Sequence, residues 1–162
     1  MKSSFVFAAF ISIFACSVPD PNARTDLAGP DRSQFDLVQP FLENSCGSLD
    51  CHGTRYRNLK IYGYEGLRIT PGDIPGGNPT TTAEVDATYD SVVRLEPEIM
   101  NEVVADHGAD PERLTIVRKA RGTESHAGGA VLAIGGNGDR CFTSWLARAL
   151  DDAACHLAQV SP

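Results

Sequence analysis

Residues 43–54 read ENSCGSLDCHGT, with Cys46 and Cys51 five positions apart and His52 directly after the second cysteine. Two thiols and an adjacent imidazole support three chemistries. The thiols can add to the vinyl groups of a haem while the imidazole binds its iron. Thiolates and imidazole can instead enter a tetrahedral zinc site, which needs four such ligands. Or the cysteines can close a small disulfide loop beside a bystander histidine. The spacing C-x-x-x-x-C-H is longer than the usual C-x-x-C-H of covalent haem attachment. Gly47 and Ser48 are small enough for the added residues to loop out, the Cys51-His52 adjacency is kept, and Gly53 lets the chain turn away at little steric cost.

Each reading needs further partners. His126 lies in the glycine-rich stretch RGTESHAGGAVLAIGGNGD and is the candidate second ligand for a metal; Met100 is its competitor, but Ile99, Val103 and Val104 beside it mark a core position. A zinc site could nominate Cys46, Cys51, His52 and His126, although sequence neighbours such as Cys51 and His52 rarely close one tetrahedron. Cys141 and Cys155 are expected to form a disulfide if the chain folds back after Asp151-Asp152. His156 follows Cys155 without a second cysteine at haem spacing, and His107, in ADHGAD, reads as a solvated loop residue. GGNPTTT and AIGGNGD lack the lysine and hydroxyl of a phosphate loop, and neither G-x-S-x-G nor H-E-x-x-H occurs. Hydrolase or transferase chemistry has no residues to rest on.

The 162 residues carry 14 basic and 21 acidic side chains, a net charge of −7, without the basic footprint of a nucleic-acid binder. At the N-terminus, Lys2 and two serines precede an apolar run from Phe5 to Ala15 broken only by Ser12. That run is too short to span a bilayer and fits a secretory signal peptide, residues 1–15. Ile13-Phe14-Ala15-Cys16 resembles a bacterial lipobox, which implies lipidation of Cys16 as the mature N-terminus, with Ser17 favouring the outer membrane. Export would place Cys46, Cys51, Cys141 and Cys155 in an oxidising compartment, where they form two disulfides, or one disulfide and a pair committed to a cofactor.

The elements that must position these residues follow from pattern. Residues 16–32, SVPDPNARTDLAGPDR after the cysteine, read as a flexible tether, and residues 33–162 as one domain. Phe35, Leu37, Val38, Phe41 and Leu42 predict a helix ending at the motif, with Pro40 kinking it or marking its first turn. LKIYG, residues 59–63, is a short strand or extended crossing, and residues 69–82 form a loop with three prolines and three glycines. Tyr89–Leu95 reads as a short helix, Pro97 opens one through Ala105, and Asp110-Pro111-Glu112 opens another through about Ala120. Asp139 is expected to cap a last helix whose Phe142, Trp145, Leu146, Ala149 and Leu150 make one apolar stripe. Trp145 is assigned to the core. The fold class is mainly α: a small helical domain of four or five helices with long loops.

The segments FDLVQPFLENSC, CHG, LKIYG, HAGG and SWL together resemble a cytochrome c-like domain found in lipoproteins of bacteria such as myxobacteria and planctomycetes. The resemblance spans residues 33 to about 150. It implies haem c held by thioethers at Cys46 and Cys51, His52 as proximal iron ligand and His126 in the distal place. It further implies a lipid-anchored envelope protein of the periplasm or outer membrane that passes single electrons, more an electron carrier than an enzyme. A redox partner protein would meet a haem edge beside residues 69–82, with the acidic surface steering a basic or neutral partner. The rival expectation is a haem-free envelope lipoprotein with a binding or structural role, stabilised by Cys46–Cys51 and Cys141–Cys155 disulfides.

Overall fold

The computed structural model describes residues 27–160; the expected signal peptide, Cys16 and most of the tether lie outside them. Among the described residues six α-helices make up the body, and the only β pairing is an isolated bridge between Tyr62 and Leu67. The mainly α expectation holds, with more helices than pattern gave. No helix among the described residues is long and apolar enough to cross a membrane.

Helix α1 (Phe35–Cys46) buries Phe35, Val38, Phe41 and Leu42 and carries Pro40 inside it. Proline removes one backbone donor, but the helix runs on. Its last residue is Cys46, and Gly47 closes it by donating its N–H to Glu43 O at 2.8 Å. Helix α2 (Thr82–Val93) starts seven residues before the expected Tyr89, because Thr81 and Glu84 form a capping box. Helix α3 (Pro97–Ala105) has its proline at the first turn, as expected, and buries Met100, Val103 and Val104. Pro111–Arg113 is a separate 3₁₀ turn, and extended Leu114 divides it from α4 (Thr115–Arg121). Glu96 caps α4, accepting from Thr115 N at 2.7 Å and Thr115 Oγ1 at 2.8 Å.

The C-terminal end departs further from pattern. Helix α5 (Asn137–Leu146) buries Cys141, Phe142, Trp145 and Leu146, but Ala149 and Leu150 lie beyond it, after Arg148 at φ 55°. Asp139 sits inside α5 rather than capping it; both carboxylate oxygens accept from Arg121, at 2.7 and 2.9 Å. Asp151 is the true cap of a sixth helix, α6 (Asp152–Val160), accepting from Ala154 N at 2.9 Å. The expected Cys141–Cys155 disulfide is present and joins α5 to α6.

Trp145 is fully buried, with ring centroids 4.9 Å from Phe35 and 5.6 Å from Phe142. Its indole N–H donates to Asp31 O at 2.9 Å, while Tyr89 Oη donates to Pro30 O and Arg148 to Gly29 O. Residues 29–31, read from sequence as tether, are therefore strapped across the core. Residues 63–81 are pinned by Arg68, whose guanidinium meets the Glu84 carboxylate at 2.8 and 3.1 Å, Asp73 at 3.0 Å, and the carbonyls of Asn78 and Pro79.

Candidate functional site

Cys46 arrives at the end of α1 and the chain then makes a tight excursion. Cys51 N and Gly53 N both donate to Ser48 O, at 3.0 and 2.9 Å, and His52 N returns to Cys46 O at 2.9 Å. The added residues of the motif loop out, as their small side chains allow, and His52 is brought back against the helix end. Its carbonyl accepts from Ile61 N at 2.9 Å, and its Nδ1 lies 3.2 Å from Leu59 O. The LKIYG segment thus serves as the backing of His52, not as a strand. It is itself clamped between two helices, since Gln39 on α1 donates to Tyr62 O and Ser91 and Thr88 on α2 accept from Lys60 N and Tyr62 N.

His126 occupies the short connection after α4, which closes where Val131 N and Leu132 N both return to Ala120 O at 2.8 and 2.9 Å. Gly122 at φ 72° and Gly129 at φ 70° supply the left-handed turns. The His126 Nδ1 lies 3.0 Å from Gly129 O. Though 74 positions apart in the chain, the His52 and His126 rings face one another with centroids 5.9 Å apart and planes within 22° of parallel. Each Nδ1 is placed to donate to a backbone carbonyl, the arrangement by which proteins orient imidazole ligands. Burial first, and then the neighbouring His126 and Arg57, pull His52 below the ordinary histidine value despite the Leu59 carbonyl, which favours the uncharged ring.

Both rings line a cavity of about 430 Å³ whose walls are largely apolar: Phe41 and Leu42 from α1, Leu59 and Ile61 behind His52, Ile116 and Ala120 on α4, and Phe142 on α5. Arg57 and Lys119 stand at its edge with Tyr56. Cys46 lines it; Cys51 does not. Both are free thiols, and burial, with Cys51 nearby, pushes the Cys46 thiol up to about 12. Met100 and Trp145 lie in the core and off the cavity, as expected, while His107 and His156 are exposed. No residue from 69 to 82 lines the cavity. The sequence placed that loop at the site edge; the Arg68 ion pairs instead fold it against α2.

No family model, curated protein or solved structure matches the chain. Its site is therefore read from geometry. Among the described residues no three His, Cys, Asp or Glu side chains converge as a metal-binding group. Cys46, Cys51, His52 and His126 do not assemble the closed set a structural zinc requires. Two neighbouring imidazoles are a different case, because they could hold a metal whose remaining ligands come from a macrocycle. His52 and His126, with ring centroids 5.9 Å apart, are the residues that would hold such a metal. The apolar cavity and the flanking Cys46 thiol suit the same group.

The packing around the motif is tight enough to test. A Cβ on Gly53 would fall 1.8 Å from Gly47 O and 2.8 Å from Gly66 Cα, both backbone atoms. Gly53→Ala therefore displaces the Cys46–His52 turn and is expected to cost about 1–3 kcal/mol. A thermal or urea midpoint equal to that of the parent would show that the turn is not packed as described.

Proposed function

We propose that the cavity holds a haem c between His52 and His126, attached covalently through Cys46 and Cys51, and that the protein carries single electrons. The observation that supports this reading is the imidazole pair with centroids 5.9 Å apart, each Nδ1 beside a backbone carbonyl, lining an apolar cavity together with Cys46. When bound, haem supplies a reversible one-electron couple, and two imidazole ligands favour a lower potential than histidine with methionine. The chain's own part is to fix the two rings, exclude water with Phe41, Leu59 and Phe142, and leave one edge at the surface. Two histidines available to hold the iron would favour a carrier over a catalyst. Lipid anchoring at Cys16, export and an envelope redox partner belong to the same proposal.

The test is a pyridine haemochrome spectrum on protein expressed with export and haem-maturation machinery, after acidic organic extraction of noncovalent haem. A c-type band retained by the protein is the expected result. A colourless protein of unchanged mass apart from paired thiols would remove the reading and leave a haem-free lipoprotein.

A further inference from the structure

Overall charge and local charge disagree at this site. Most arginines and lysines among the described residues are matched: Arg32, Arg68, Arg94, Arg113, Arg118, Lys119, Arg121 and Arg140 each pair with a carboxylate. The described cations outside any ion pair are Arg55, Arg57, Lys60 and Arg148, and Arg148 is bonded to Gly29 O. Three of the four thus fall within six residues, in the segment that backs His52. Arg55, Tyr56, Arg57 and Asn58 are all exposed, Tyr56 at 86%. The segment is not a loose loop: buried Leu59 and Ile61 anchor its end, Lys60 N donates to Ser91 Oγ, and Arg57 Nε donates to Cys51 O. Tyr56 and Arg57 line the cavity mouth.

We infer that Arg55–Lys60 is a docking surface for an acidic protein partner at the mouth of the cavity. Positive charge left unpaired in a chain of net charge −7 carries a positive potential where the rest of the surface repels anions. Such a patch orients a partner as well as attracting it. An exposed tyrosine flanked by arginines has the composition of an interface anchor, large in contact area and poor in conformational entropy to lose. The bulk charge predicts a basic or neutral partner; the surface at the cavity predicts the opposite. That the partner is a redox protein rests on the proposed function, whereas its acidity does not.

The test uses a fluorescently labelled oligoglutamate peptide as the probe and anisotropy as the readout, on the full exported protein at low and physiological salt. Arg55→Glu/Arg57→Glu is compared with Arg113→Glu/Arg140→Glu, which changes net charge by the same amount elsewhere. Circular dichroism confirms folding, and Arg55→Gln/Arg57→Gln serves as the milder variant. The expected result is salt-sensitive binding, weakened roughly tenfold or more by the first pair and little changed by the second. No binding at low salt, or equal loss in both pairs, overturns the proposal. So does tighter capture by phosphatidylglycerol vesicles through the same arginines, which would assign the strip to lipid. A haemochrome spectrum on the same sample separates the two conclusions: a colourless protein that still binds through Arg55 and Arg57 keeps the docking surface and loses the redox reading.

Discussion

Glu84→Ala lowers the stability of the fold by about 3–5 kcal/mol, a large part of what a domain this size possesses. The carboxylate has no exposed surface and the Arg68 side chain only 3%. Removing Glu84 takes the closer carboxylate from a buried guanidinium and leaves it Asp73 alone, and it also removes half of the α2 capping box and the acceptor for Ile69 N. Arg68→Ala costs a similar amount. The double variant costs less than the sum, since the contact between Arg68 and Glu84 is lost only once. Burial by itself would raise the Glu84 carboxyl; Arg68, Thr81 and Ile69 outweigh it and hold the group below its ordinary 4.5. A carboxyl lowered in the fold stabilises it above the unfolded value, and that contribution disappears as pH falls through the folded value. Urea melts at pH 7 and in acid should therefore show the Glu84→Gln penalty shrinking below pH 4.5. A penalty that is small at neutral pH, or constant with pH, would sink this account of the loop.

Under the proposed function His52→Ala and His126→Ala give unequal phenotypes. His52 is held through its backbone N–H, its carbonyl and its Nδ1, to Cys46, Ile61 and Leu59. His126 is tied only within its own turn, to Gly129. Losing an outer partner of a metal ligand commonly costs about 10–100-fold in affinity, so losing His52 itself should cut haem-loaded yield by at least about tenfold. His126→Ala should keep the covalent attachment but change the oxidised spectrum from six-coordinate low-spin to high-spin, with added imidazole restoring the parent spectrum. An unaltered spectrum in His126→Ala would exclude it as a ligand and leave the 5.9 Å ring pair without a chemical role.

How much of this was legible depended on whether the signal was local. The apolar spacing of α1 and the proline at the start of α3 were enough to place both helices, and Cys141–Cys155 followed from a fold-back that residues 151–152 could make. The early start of α2 was readable too, because Thr81-x-x-Glu84 is a capping box written in sequence. Asp139 misled for a specific reason. An aspartate before an apolar stripe looks like a cap, but Asp139 lies inside α5, where its carboxylate accepts from Gly135 N and also from Arg121 of α4, which no local pattern contains. The break after Leu146 was hidden likewise, since Ala149 and Leu150 continue the stripe and only the left-handed Arg148 ends it. At the site, CHG announced His52, and the resemblance nominated His126. The cavity itself could not be read, because Leu59, Ile116 and Ala120 are ordinary core residues until the fold leaves space between them.

The strap at residues 29–31 has a consequence for the order in which the molecule can be completed. The bonds from Trp145 to Asp31 and from Arg148 to Gly29 join positions 114 and 119 residues apart. Synthesis delivers the N-terminal end first, so the strap emerges long before anything exists for it to hold. Closure waits on α5, the fifth of six helices, and such long-range contacts form late because the loop must be ordered before the bond rewards it. A chain halted before Trp145 has every other helix of the cavity wall but no latch, and the first residues of the body remain open to proteases until nearly the last ones arrive.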